Sequence, residues 1–127
     1  MEAKPVSIDF NREKQLLTIV WSDNNTFEYS SEFLRVYSPS AEVRGHGQGQ
    51  ETLQVGKKDV AIKDLKPAGR YALKITFDDG HDSGIYDWRY LYRIGAKHDL
   101  YWQDYLKRLK EAGAQREANF INITQLN

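Results

Sequence analysis

The sequence lacks cysteine entirely, since none occurs among its 127 residues. This absence excludes disulfides, thiolate zinc sites, cysteine-ligated iron–sulfur clusters and a cysteine nucleophile. The length corresponds to one domain and leaves no room for a second full core.

An excess of charge and long apolar runs are missing as well. The 18 Lys and Arg residues balance 18 Asp and Glu residues, so a whole-molecule attraction to nucleic acid or to anionic lipid is not expected. No apolar run approaches the roughly 20 residues of a membrane span, and the first ten residues lack a signal-peptide core. We therefore expect a cytoplasmic domain that binds neither nucleic acid nor membrane.

The N-terminal part of the chain has the patterns of β-strands. Val6, Ile8 and Phe10 alternate with polar residues, as in a half-buried strand. The β-branched run at 16–21 predicts a central strand. An Asp-Asn-Asn turn then predicts a hairpin with a returning strand at 26–29.

Three helices are predicted from caps and periodicity. Ser30 or Ser31 is a candidate N-cap for a short helix. The aromatic run at 86–93 fits either a strand or a helix, and a preceding Asp with Gly95 as a C-terminal stop favours the helix. The clearest helix is 99–112, because its aromatic and leucine residues share one face.

The order of strands and short helices predicts an α+β fold, a two-layer sandwich with a mainly antiparallel sheet and a C-terminal helix. The expected domain is 1–113, followed by a disordered tail at 114–127. The segments 17–24 and 73–80 are similar, which indicates either a duplicated hairpin–helix unit or two hairpins with the same turn chemistry.

The densest polar group is Asp-Asp-Gly-His-Asp at 78–82. His81 with Asp79, Asp82 or His46 could hold a divalent metal. The alternative is a hairpin turn whose aspartates bind backbone amides and whose glycine supplies a positive φ. No second catalytic group at a recognisable spacing accompanies His81, so we expect no enzymatic activity.

Two further motifs each have a plain structural alternative. The glycine-rich stretch 44–50 could bind an anion, but it lacks the Lys-Ser/Thr of a phosphate-binding loop, which favours a surface loop. The run 86–93 interleaves aromatics with two arginines and could stack on bases, but the zero net charge favours core packing.

Four segments form a recognisable set: Leu34-Arg35, Ser-Pro-Ser-Ala-Glu at 38–42, Pro-Ala-Gly-Arg-Tyr-Ala-Leu at 67–73, and 79–91 with Asp-Gly-His-x-x-Gly-Ile-Tyr. Together they resemble the gamma-butyrobetaine hydroxylase-like N-terminal domain family. The resemblance covers about residues 6–95, and the helix at 99–112 is similar to that of bacterial stand-alone members. It implies a small two-layer α+β domain.

The resemblance also implies what this chain has lost. In the hydroxylases, this domain precedes a catalytic domain that uses iron and 2-oxoglutarate, an activity not expected here. Their N-terminal domain binds structural zinc through three cysteines and a histidine, and the matching positions are Ser38, Ser40, Val43 and His81. Since serine and valine are not zinc ligands, we expect no such site and no cofactor. His81 is expected to hydrogen-bond the 38–42 loop instead.

Similar domains are fused to P-loop ATPases that carry iron–sulfur clusters, which implies an accessory role. The first hypothesis is therefore a non-catalytic protein-interaction domain, whose partner is an iron–sulfur carrier ATPase or an oxygenase. The expected surface combines the 34–50 loop with the 79–84 turn, since Arg and Tyr are favoured at interfaces. Its residues are Arg35, Tyr37, Arg44, His46 and His81. The alternative is a metal- or small-ligand-binding domain centred on His81.

Overall fold

The computed structural model describes residues 2–45, 51–82 and 84–118, which hold six strands and four helices. In chain order they are β1 (Pro5–Asn11), β2 (Leu16–Trp21), β3 (Thr26–Ser30), α1 (Ser31–Val36), α2 (Ala41–Arg44), β4 (Ile62–Ala68), β5 (Ala72–Phe77), β6 (Gly84–Asp87), α3 (Trp88–Ala96) and α4 (His98–Glu111).

The strands form two antiparallel sheets of three, β1-β2-β3 and β4-β5-β6. Leu17 and Ile19 of β2 and Ile75 of β5 are fully buried and belong to one hydrophobic core, which also contains Phe33 of α1 and Leu91 of α3. The predicted α+β class, with antiparallel strands, short helices and a C-terminal helix, is confirmed. The strands are divided between two sheets that share this core.

Helices α1 and α3 begin directly at the ends of strands, at the predicted caps. The Ser30 hydroxyl accepts a hydrogen bond from the Phe33 amide at 3.0 Å, and the Asp87 carboxylate accepts one from the Tyr90 amide at 2.7 Å. Such caps satisfy amides that have no partner within the helix. The choice of a helix for the aromatic run 86–93 is confirmed from Trp88 onward.

Gly95, however, does not stop α3. The helix continues through Ala96, and its C-cap is Lys97. A Cβ on Gly95 would lie 2.4 Å from the Tyr29 hydroxyl oxygen and 2.7 Å from Cδ2 of Phe27. This position therefore requires glycine because β3 packs directly against it, and the predicted C-terminal stop is wrong.

The two halves of the chain repeat one arrangement of three strands and a helix. Leu17 pairs with Tyr29 across β2 and β3, and Leu73 pairs with Tyr86 across β5 and β6. The registers of β1 and β4 shift at matching places, Pro5/Ser7 and Ile62/Asp64. Leu17 therefore corresponds to Leu73, and Tyr29 to Tyr86.

Matching residues of the two halves also bond reciprocally. The Tyr29 hydroxyl donates to the Leu91 carbonyl at 2.7 Å, and the Tyr86 hydroxyl donates to the Leu34 carbonyl. Leu34 and Leu91 occupy equivalent places in α1 and α3. Turn chemistry alone does not produce reciprocal long-range bonds, so the structure favours the duplicated unit over two unrelated hairpins.

Residues 114–118 are ordered against the domain, so the expectation of disorder is wrong for this part of the tail. The Gly56 amide donates to the Gln115 carbonyl at 3.1 Å, and the Lys58 amide donates to the Arg116 carbonyl at 3.0 Å. The Arg116 guanidinium also forms two hydrogen bonds to the Glu32 carboxylate, at 2.7 and 2.8 Å. Residues 119–127 lie outside the described part of the chain.

Candidate functional site: the His81 cluster

The turn after β5 meets the loop after α1 around His81, which is only 5% exposed. Its Nε2 lies 2.8 Å from the Ser38 hydroxyl oxygen and 3.3 Å from that of Ser40. Its Nδ1 lies 3.2 Å from the Glu42 carboxylate. The expectation that His81 hydrogen-bonds the 38–42 loop is confirmed. We call these four residues the His81 cluster.

The turn itself is built by Asp79. One carboxylate oxygen accepts the His81 amide at 3.1 Å, and Gly80 supplies a φ of +91°. The other oxygen accepts Arg35 Nε at 2.8 Å and Lys57 Nζ at 2.7 Å. Burial raises the pKa of Asp79, but the hydrogen bonds from Lys57, the His81 amide and Arg35 outweigh it and lower that pKa to about 2.

The first half of the chain contains an equivalent turn. The Asp23 carboxylate accepts the Asn25 amide at 3.0 Å and the Tyr92 hydroxyl at 2.5 Å. By the correspondence of the two halves, Asp23 matches Asp79, Asn25 matches His81, and Tyr92 matches Arg35. The aspartate turn and its link to the neighbouring helix are therefore part of the repeated architecture, whereas the imidazole is specific to the second half.

The charge state of His81 follows from its surroundings. Burial lowers the pKa of its imidazole, the Arg35 guanidinium lowers it further, and the Glu42 carboxylate offsets part of the shift. The ring is therefore neutral at pH 7, with one nitrogen donating and the other accepting. A neutral ring suits the buried hydroxyl groups that it contacts.

Ser38, His81 and Glu42 lie in the order of a serine–histidine–acid triad. A nucleophile must also be reached by its substrate, and Ser38 is 0% exposed. The Ser40 hydroxyl oxygen also lies 3.3 Å from Nε2. The geometry thus supports a cross-link between the turn and the loop rather than hydrolysis.

The same contacts show how the matched zinc positions are used. Ser38 and Ser40, at two of the positions that match cysteines, direct their hydroxyls at His81 Nε2. Val43, at the third position, is buried and apolar. A hydroxyl pair and an alkyl group do not supply zinc ligands. The residues present therefore do not fit the zinc site of the resembled hydroxylases.

The predicted metal co-ligands are not assembled around His81. Within the described ranges, no group of three or more His, Asp or Glu side chains could hold a metal ion. The Asp79 carboxylate is held by Arg35 and Lys57. His46 lies outside the described residues, and the structure describes no contact that brings Asp82 to the imidazole.

Two of the five predicted interaction residues, Arg35 and His81, are buried. Arg35 is buried, 7% exposed, because its guanidinium binds Asp79, so its expected exposure is wrong. His81 is buried for the reasons above. Tyr37 is half-buried and donates its hydroxyl to the Tyr101 carbonyl at 2.6 Å. Arg44 remains available, with a side chain 40% exposed and 3.8 Å from Glu51.

Sequence reasoning missed a groove near the start of β1. Its lining comes from three segments that are distant in sequence, so no local pattern pointed to it. The residues are Lys4, Val6, Ile8, Arg70, Tyr71 and Trp88. We call this surface the Trp88 groove.

Lowering the pH from about 7 to about 5 should destabilise the protein through His81. The pKa of His81 is lower in the folded state than the unfolded value of about 6.5. The unfolded chain therefore binds the proton first, and stability present above pH 6.5 is lost as the pH falls, by up to about 1.4 kcal/mol per pH unit. Urea unfolding across this range measures the loss.

The matched variant for this experiment is His81→Asn, which places the residue type of Asn25 in the equivalent turn. Its pH dependence should be flatter. Asp79 does not interfere, because its pKa is 3.8 in the unfolded chain and about 2 in the fold, so its contribution to stability is lost mainly below the range tested. An unchanged slope in the variant would show that other groups cause the pH dependence.

The family of the chain is shown by comparison with known proteins. The model of the N-terminal domain of gamma-butyrobetaine hydroxylase-like proteins matches residues 8–92. The chain belongs to this family. No curated protein matches the chain at a significant level. The resemblance inferred from the Asp-Gly-His-x-x-Gly-Ile-Tyr segment is confirmed.

Solved structures extend the similarity beyond the matched segment. One protein determined by NMR in solution is 43% identical, with 94% of each chain covered and a TM-score of 0.79. A second NMR structure is 41% identical, covers 96% of this chain and 91% of that one, and has a TM-score of 0.78.

A crystal structure from Acidithiobacillus ferrooxidans, of a protein of unknown function in the DUF971 family, is 32% identical. It covers 72% of this chain and 92% of that one, with a TM-score of 0.61. These relatives establish family and fold, and they name no reaction. None of the helices in the described part of this family member is long and apolar enough to cross a bilayer.

Proposed function

We propose that this protein is a non-catalytic accessory domain that acts by binding another protein. The observation that carries the proposal is the state of its reactive side chains. His81 is buried with both ring nitrogens engaged, and Asp79 is held by two cations. The groups best suited to acid–base chemistry are thus engaged in contacts that stabilise the fold. This favours a function in binding, carried out by other residues at the surface.

The candidate partner is an iron–sulfur carrier ATPase, with an oxygenase as the second candidate. The support is the occurrence of similar domains fused to such ATPases, which is an argument by association. The present chain contains no cysteine, so it would supply no thiolate to a cluster. Its contribution would be to position or recruit the partner.

The test is capture by the full-length tagged chain from extracts of the native cells, followed by titration with the purified ATPase. Arg44→Glu probes the surface predicted from the sequence, because this arginine side chain is 40% exposed. A stoichiometric complex with a carrier ATPase or an oxygenase is expected. Failure of both purified candidates to bind, together with no stoichiometric capture, would refute an accessory role through a stable partner.

Arg44→Glu also carries a stability expectation. Its ion pair with Glu51 is long, 3.8 Å, and partly exposed, so such a pair contributes about 0–1 kcal/mol. The melting temperature should therefore hardly change. Unfolding of the variant would show that Arg44 is structural and would remove it from the candidate surface.

Zinc, iron(II), nickel and manganese should each leave the melting temperature unchanged. The reason is the absence of a three-ligand group in the described residues and the replacement of thiolate positions by Ser38, Ser40 and Val43. Thermal unfolding with and without each metal measures this. Stabilisation that His81→Ala abolishes would restore the metal-binding alternative.

A further inference from the structure

The Trp88 groove brings several exposed apolar side chains together. Val6 and Tyr71 are each 69% exposed, and Ile8 is 42% exposed. Two adjoining hollows share Lys4 and Trp88, so the apolar groups lie along one continuous surface. Exposed apolar groups gathered in this way mark an interaction site more often than isolated ones do.

The equivalent place under the two-half correspondence, between the start of α1 and the start of β4, is closed. Gln15 accepts the Ser31 amide on its carbonyl at 3.1 Å. Its side-chain oxygen also accepts the Ser31 hydroxyl at 2.7 Å and the Ile62 amide at 2.8 Å. One glutamine thus links the start of α1 to the start of β4 by hydrogen bonds and closes the seam between these two elements.

Between the start of α3 and the start of β1, the corresponding residues leave the seam open. Tyr71 replaces Gln15, since its carbonyl accepts the Trp88 amide at 2.9 Å, as Gln15 accepts that of Ser31. Pro5 replaces Ile62 in the register and has no amide hydrogen to donate. The Tyr71 side chain therefore points to solvent beside Trp88, and a groove lies where the other half has a hydrogen-bonded seam.

Cationic side chains outnumber carboxylates along the groove, with Lys4, Arg70 and Arg89 against Glu2 and Asp87. Within the described part of the chain, Lys4 and Arg70 have no carboxylate within 4.0 Å, whereas Arg89 pairs with Glu2 at 2.5 Å. The Asp87 carboxylate caps α3. An apolar groove flanked by two unpaired cations is complementary to apolar groups flanked by carboxylates.

These features also argue against strand addition as the mode of binding. Strand addition to the edge of β1 is hindered by Pro5 and by the irregular register at Pro5/Ser7. The groove is therefore suited to side-chain recognition rather than to strand pairing.

We propose that the Trp88 groove binds an extended acidic–apolar segment of a partner protein, with the apolar side chains on Val6, Tyr71 and Trp88 and the carboxylates on Lys4 and Arg70. This inference rests on the proposed function and assigns it a surface. That surface differs from the 34–50 loop and 79–84 turn indicated by the sequence. It also names the chemistry of the partner segment.

The experiment is selection from a displayed library of random short peptides on the full-length protein. Peptides that combine Asp or Glu with Leu, Ile or aromatic residues should be enriched. Tyr71→Asp should weaken binding of the selected peptides by about tenfold or more. Lys4→Glu with Arg70→Glu should also weaken binding and reverse its salt dependence, because salt then screens a repulsion instead of an attraction. Because these side chains are at the surface, the variants are expected to fold.

Leu100→Asp is the matched control, since Leu100 is 66% exposed on α4 and does not line the groove. It should bind the peptides like the unmodified protein. Enrichment of peptides without acidic residues, or equal binding by Tyr71→Asp, would overturn the proposal. So would a mass that rises with protein concentration in sedimentation and is restored to the monomer value by Tyr71→Asp, because the groove would then be an interface between copies.

Capture from extract separates this inference from the proposed function. A partner bound equally by the unmodified protein and by Tyr71→Asp supports the accessory role and overturns the groove as its site. A partner lost only with Tyr71→Asp, and retained by Leu100→Asp, supports both.

Discussion

Replacing Gly95 with alanine should lower the free energy of unfolding by about 1–3 kcal/mol, the usual cost of overpacking. Helix propensity alone predicts the opposite sign, because glycine to alanine in a helix interior stabilises by about 0.5–1 kcal/mol. Packing outweighs propensity because the added Cβ would lie 2.4 Å from the Tyr29 hydroxyl oxygen and 2.9 Å from Cβ of Phe27. Tyr29 is fully buried, so it has little room to move.

Urea unfolding of Gly95→Ala measures the effect, and Phe27→Ala supplies the control. The double variant should lose less stability than the sum of the two single variants, since removing the Phe27 ring makes room for the new methyl group. A gain in stability for Gly95→Ala alone would contradict the close packing of α3 on β3.

Replacing Arg116 with methionine should destabilise the protein even more, near the lower end of the range of about 3–5 kcal/mol for breaking a buried pair. The Glu32 side chain is only 7% exposed, and both of its carboxylate oxygens accept bonds from Arg116. Without that guanidinium, a charge remains buried and unpaired. Water reaches a third of the Arg116 side chain, which limits the loss.

The matched control is Arg108→Met on α4. Arg108 pairs with Asp104 at 2.9 Å, but its side chain is 54% exposed, so the change should stay within about 0.5 kcal/mol. Combining Arg116→Met with Glu32→Gln should recover part of the lost stability, because the buried charge is then removed. Equal effects of the two arginine substitutions would show that the Glu32–Arg116 pair is not a buried structural contact.

Those features of the fold that depend on neighbouring residues could be predicted from the sequence. The caps at Ser30 and Asp87, the aspartate turn before His81 and the apolar face of α4 are all encoded within a few positions. Each could be recognised because its hydrogen bonds or its periodicity involve residues that are close together in the sequence. The family resemblance then supplied the link between His81 and the 38–42 loop.

The features that could not be predicted depend on distant partners. Gly95 has the local signature of a helix stop, and only its contact with Tyr29 shows that it is a packing residue. Arg35 was expected at the surface, as arginine usually is, yet Asp79 from the other half holds it inside. The Trp88 groove was missed because Gln15 closes the equivalent seam and Tyr71 does not, a difference visible only once the two halves are compared.

The reciprocal tyrosine bonds have a consequence for the architecture as a whole. Tyr29 satisfies a carbonyl in α3, and Tyr86 satisfies one in α1, which is the relation between identical subunits in a two-fold symmetric dimer. A fragment holding either half alone would leave its tyrosine hydroxyl and its helix carbonyl without these partners. Two copies of one half, related by a two-fold axis, would restore both bonds. The single chain thus has the interface of a homodimer, with a covalent linker that has freed each half to diverge.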